Sequence, residues 1–107
     1  MKELSLIKNR VVRGEVDQII IIANSKQSGE NLEKCLKEEF TDYKLSYKII
    51  TNFKMSIGIS YDIKTVTILW GSWWKNKKML EYVKDTLINI PGVRSLSSIE
   101  HRWLYDA

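Results

Sequence analysis

Gln18-Ile19-Ile20-Ile21-Ile22-Ala23 is the segment from which the architecture is read. Four β-branched residues in a row, with no polar position among them, describe a strand buried on both faces and therefore central in its sheet. The turn-prone Asn24-Ser25-Lys26-Gln27-Ser28-Gly29 ends it. Ser28 is placed to cap a helix starting near Gly29. In that helix Leu32, Cys35, Leu36, Glu39 and Phe40 recur at spacings of three and four, and all but Glu39 form an apolar stripe that packs on the sheet. On the other side of the isoleucines, the segment to about Val16 mixes charge with Leu6, Ile7, Val11 and Val12, and reads as a short helix or an extra edge strand.

Further along, Tyr43 to Ile50 and Lys54 to Tyr61 read as one long strand broken near Thr51-Asn52, or as two short ones. Asp62-Ile63-Lys64 is a turn. Thr65 to Trp73 is another strand, with Val66, Ile68 and Trp70 on one face and Thr67, Leu69, Gly71 and Trp73 on the other, and a hairpin is its economical pairing. Leu80, Val83 and Leu87 share one face of a helix over 76–89, which Pro91-Gly92 stops, and Val93 to Tyr105 supplies a last strand. The order β-α-β-β-α-β predicts an α+β, ferredoxin-like sandwich. Its antiparallel sheet would carry two helices on one face and leave the other open for a partner.

Composition bounds the rest. Hydrophobic residues at 44% and charged residues at 28% describe a folded chain and not a disordered tail, and 107 residues suit a single domain over 1–107. Cys35 is the only cysteine, so no intramolecular disulfide exists and a reducing, cytoplasmic setting is expected. The residues Met1 to Lys8 hold no apolar run of signal-peptide length, and Ile19 to Ala23, the longest apolar stretch, is too short to span a bilayer. Seventeen Lys and Arg against thirteen Asp and Glu leave a net charge of +4, mildly favouring nucleic acid, anionic lipid or an acidic protein without choosing among them.

The stretch from Ile59 to Trp103 resembles the core of a BON domain. A strand ends in Leu69-Trp70-Gly71-Ser72-Trp73, a helix follows, and Ile90-Pro91-Gly92-Val93-Arg94-Ser95-Leu96 leads into a last strand, similar to that family's "VxLxG" strand and "pGV" turn. The likeness covers less than half of the chain. Trp73 and Trp74 crowd a position that is small in the family. The resemblance implies association with phospholipid membranes.

The unusual segment is Trp70-Gly71-Ser72-Trp73-Trp74-Lys75-Asn76-Lys77-Lys78, where three tryptophans and three lysines meet as a strand hands over to a helix. Aromatic faces stack on bases while ammonium groups hold phosphates, the combination used by single-strand binders. The same pairing suits a membrane interface, with indole rings at headgroup level and lysines on anionic lipid. The plainer reading is that alternate tryptophans are core and the lysines merely solvated. The candidate binding residues are Trp73, Trp74, Lys75, Lys77 and Lys78.

Other features carry less. Ser25 to Asn31 joins a strand to a helix whose backbone amides suit an anion, but the P-loop pattern lacks its first glycine and its Lys-Ser/Thr pair, and Glu30 would repel a phosphate. One histidine and one cysteine do not make a zinc site, and Cys35 on the apolar stripe is expected to be a buried, inert thiol. Glu100-His101-Arg102 offers a base and a phosphate-binding cation for a metal-independent nuclease toxin. Neighbours on a strand face opposite ways, however, so a Glu100 and Arg102 pair with a lone His101 is the blander account. Asn24 and Ser25 stand where ferredoxin-like nucleases carry a carboxylate at the end of the first strand. The expectation is a non-enzymatic binding module, without cofactor, that contacts nucleic acid or an acidic protein surface. An anionic membrane is the alternative partner, and an exposed sheet edge would allow a dimer.

Overall fold

Four consecutive isoleucines have no polar side chain to turn towards water, and the chain buries all of them. They form strand β1 (Gln18–Ile22), an interior strand of a four-stranded sheet of order β2-β1-β3-β4. The structure is a computed structural model that describes residues 2–56, 64–89 and 93–96. Strand β2 (Ser46–Ile50) lies parallel to β1, from Ser46 opposite Gln18 to Ile50 opposite Ile22. Strand β3 (Thr65–Trp70) is parallel to β1 on its other side, from Thr65 opposite Gln18 to Leu69 opposite Ile22. Strand β4 (Val93–Leu96) continues outward from β3, also parallel.

The sheet is therefore not the antiparallel, ferredoxin-like one expected from the order of elements. β2 and β3 form no hairpin, because β1 lies between them. The physical reason is burial: all six residues of β3 are buried, Thr65 and Thr67 included, so neither face of this strand is open to water. Sheets covered on both faces are the setting of parallel strands joined by helical crossovers.

Helix α1 (Lys2–Val12) resolves the choice left at the N-terminus. It buries Ile7 and Val11. Helix α2 (Lys26–Glu39) starts three residues earlier than the apolar stripe suggested, because Ser25 and not Ser28 is its cap. With Leu32, Leu36 and the following Phe40 it joins α1 over Ile19, Ile21, Val66, Ile68 and Trp70. The opposite face of the sheet, Ile20, Ile22, Ile50 and Leu69, is covered by Met79 and Val83 of α3 (Lys77–Asp85) and by Leu87 of the 3-10 turn Leu87–Asn89. The alternation of Val66, Ile68 and Trp70 against Leu69 holds, but the strand expected to reach Trp73 ends at Trp70, and Trp73 opens a 3-10 turn that packs on the α3 side. Burying the four isoleucines alone is worth on the order of 10 kcal/mol of apolar transfer energy.

The winding explains the layers. From β1 the chain passes through α2 to β2 on one side, and from β3 through α3 to β4 on the other. Right-handed crossovers laid down in opposite directions need their helices on opposite faces, where α2 and α3 lie. Within Lys54 to Tyr61, the 3-10 turn Phe53–Ser56 replaces the start of the expected strand. Residues 57–63, with the expected Asp62-Ile63 turn, Pro91-Gly92, and the final strand beyond Leu96 lie outside the described residues.

A candidate anion site at the carboxyl edge

In a doubly wound sheet the strand order reverses at one point, here between β1 and β3. The connections leaving these two strands diverge to opposite faces, and the crevice between them, outside the carboxyl ends, is where such sheets hold ligands. Three segments border it: Ala23 to Ser25 after β1, Thr51 to Ser56 after β2, and Gly71 to Asn76 after β3.

Ser25 ends the first segment in extended backbone, and its Oγ accepts the Ser28 N–H at 3.2 Å. One orphan amide of the α2 first turn is so satisfied, and no acidic residue stands in that turn. Lys26 is exposed there and approaches Glu30 at 3.8 Å, a surface pair of small energy.

Gly71 opens the third segment at φ +63, a left-handed conformation that glycine adopts without strain. A Cβ there would stand 3.7 Å from Ser28 Oγ, so the segment after β3 abuts the first turn of α2. The chain then makes the 3-10 turn Trp73–Lys75 and enters α3 at Asn76. Asn76 works in two directions. Its Oδ1 accepts the Met79 N–H at 3.2 Å, capping α3, while its Nδ2 donates to the Thr51 carbonyl at 3.5 Å and ties this segment to the one after β2. There, the Met55 Sδ accepts from Thr51 Oγ1 at 3.3 Å and from the Thr51 N–H at 3.5 Å, and Met55 is 45% exposed.

The expected site residues divide by burial. Trp70 is core. Trp73 is half-buried against the α3 side of the sheet, whereas Trp74 is 53% exposed, with the Lys75 Nζ 6.0 Å from its ring centroid. Lys75, Lys77 and Lys78 are exposed, and no ion pair among the described residues engages them. Lys77 and Lys78 occupy the first turn of α3, which holds no acidic residue. Cations at a helix N-terminus add to the positive end of its dipole, so Lys77 and Lys78 are unfavourably placed with respect to it. The structure thus brings Trp74 and the three lysines to one edge, with Trp73 half in the core. Sequence reasoning missed Gly71, Asn76 and Met55, whose part depends on which strand ends are neighbours.

Elsewhere, Cys35 is half-buried at the margin of the apolar stripe and not within it. Burial pushes its thiol above the ordinary value, with Glu38 adding to the effect and Lys34 opposing it. Among the described residues, no group of three or more His, Cys, Asp or Glu side chains gathers to hold a metal ion, and no helix is long and apolar enough to cross a membrane. Glu100, His101 and Arg102 lie outside the described residues, as do residues 59–63, 90–92 and 97–103 of the stretch that resembles a BON domain. Within that stretch the order β3-α3-β4 is common to any parallel βαβ unit. No protein-family model, curated protein or solved structure matches the chain.

Proposed function

We propose that the protein is a non-enzymatic binding module whose ligand carries both phosphate and a planar ring, as nucleic acids and nucleotides do. One observation supports this above the others. The exposed ring of Trp74, the lysines at 75, 77 and 78, and the carboxylate-free first turns of α2 and α3 all lie at the edge where the sheet reverses its winding. Lysines and helix amides supply charge and donors for phosphate oxygens, and an exposed indole supplies a face for a ring. An acidic protein surface would use the lysines and leave Trp74 idle, while an anionic membrane would bury Trp74 in the headgroups.

Trp emission, titrated with single-stranded oligonucleotide, mononucleotide, acidic peptide and anionic vesicles at two salt concentrations, separates these partners. Phosphate-and-ring recognition requires quenching by the first two, weakened by salt and by Lys75→Ala and Lys77→Ala, each several-fold. A blue shift confined to vesicles, or a response confined to acidic peptide, would contradict it.

A further inference from the structure

We infer that Met55 is a site of reversible oxidation, and that its sulfoxide loosens the tie between the segment after β2 and the start of α3; the inference does not depend on the phosphate-and-ring reading. The side chain is open to an oxidant in solution, since Met55 is 45% exposed whereas Met79, packed under α3, is 1% exposed. Its sulfur also holds a joint. Sδ accepts the Thr51 hydroxyl at 3.3 Å and the Thr51 N–H at 3.5 Å. The Thr51 carbonyl in turn accepts from Asn76 Nδ2 at 3.5 Å, and Asn76 Oδ1 accepts the Met79 N–H in the first turn of α3. The Met55 N–H is itself fixed, donating to the Asn52 Oδ1 and to the Asn52 carbonyl, each at 3.2 Å. An exposed thioether is thus linked through Thr51 to a helix cap.

The step is oxygen-atom transfer from a hydroperoxide. A sulfur lone pair bonds to one peroxide oxygen, the O–O bond breaks, and the departing oxygen leaves as water or an alcohol once it has taken up the proton; sulfur is oxidised by two electrons and the peroxide reduced by two. The flexible apolar side chain becomes a polar one, and its acceptor moves from sulfur to an oxygen a bond length away. Separations of 3.3 and 3.5 Å suit sulfur, whereas an oxygen acceptor takes such donors at about 2.7–3.0 Å. Turned towards Thr51, the new oxygen displaces it; turned to water, it leaves both Thr51 donors without their acceptor. The Asn76 to Thr51 bond, at 3.5 Å, is already long for an N–H···O contact and does not survive a shift of Thr51. Asn76 then keeps its cap on α3 and loses its bridge to the segment after β2.

Peptide mass mapping and amide NMR of the full chain, treated with dilute hydrogen peroxide, test this. Met55 should be oxidised about tenfold or more faster than Met79. The amide shifts that accompany Met55 oxidation should reach Asn76 and Met79, reverse on treatment with methionine sulfoxide reductases, and be missing from Met55→Leu, which replaces the thioether by an inert side chain of similar volume. In Asn76→Asp, which lacks the donor to Thr51, oxidation should still shift Thr51 and no longer reach Met79. Equal oxidation of Met55 and Met79 would overturn the inference. So would shifts that stop at Thr51 in the wild-type chain, or the same shifts at Asn76 and Met79 in peroxide-treated Met55→Leu.

Discussion

Gly29 lets α2 approach the sheet closely, because a Cβ built there would stand 2.5 Å from the Cγ2 of Ile49. Alanine would add about 1 kcal/mol of helix propensity, yet the clash forces the helix or strand to move. We expect Gly29→Ala to lower the unfolding free energy by about 1–3 kcal/mol in urea titrations, and an Ile49→Ala background to relieve part of that loss. A stabilised single variant would show that α2 is not so close. Cys35 gives a second residue-scale outcome. A thiol whose folded pKa is raised stays protonated, so labelling by a disulfide reagent at mildly alkaline pH should be slower in the folded than in the unfolded chain. By linkage the contribution is present below the unfolded thiol pKa and is lost as pH rises through the folded one. The stripe of leucines was legible in the sequence, but Cys35 lies at its rim because Leu32 and Leu36 take the positions facing the sheet. Ser25 and Ser28 are equally good capping residues by type. The start of the helix at Lys26 separates them, since it makes Ser28 a donor to Ser25.

At the scale of elements, Asn76 joins a helix cap to a bridge between two strand ends, and the roles can be taken apart. Asn76→Ala should cost about 1–2 kcal/mol of stability. Asn76→Asp keeps an acceptor for the Met79 N–H and loses only the donor to Thr51, so it should cost less; equal losses would mean that the cap contributes little. Lys77 and Lys78 should behave in the opposite sense. Replacing either by Ala removes a cation from the positive end of α3 and should raise the melting temperature, by the equivalent of about 0.3–1 kcal/mol at low salt, while weakening ligand binding. Lowered stability in both variants would show that the lysines make contacts within the fold and are not held for a ligand. Existence and type of β1, α2, β3 and α3 were readable because each carries a clear period or an unbroken β-branched run. Strand direction was not readable in the same way. The threonines at 65 and 67 imitate the polar half of a one-sided strand, yet both are buried. The isoleucine run had the stronger signal, since strands buried on both faces belong to parallel sheets.

For the whole molecule, the order β2-β1-β3-β4 decides where chemistry can gather. It makes neighbours of the ends of β1 and β3, which are far apart in sequence, and brings Gly71 beside Ser28. That is why the segment from Trp73 to Lys78 stood out by composition alone, while its setting between two helix starts did not. The most direct test is an amide NMR titration of the isotope-labelled chain with a mononucleotide. Binding at the carboxyl edge predicts saturable shifts grouped in Asn24 to Ser28, Thr51 to Met55 and Gly71 to Lys78. Shifts grouped instead at the amino edge, around Asp17, Thr41 to Leu45 and Lys64, or no shifts at all, would contradict it.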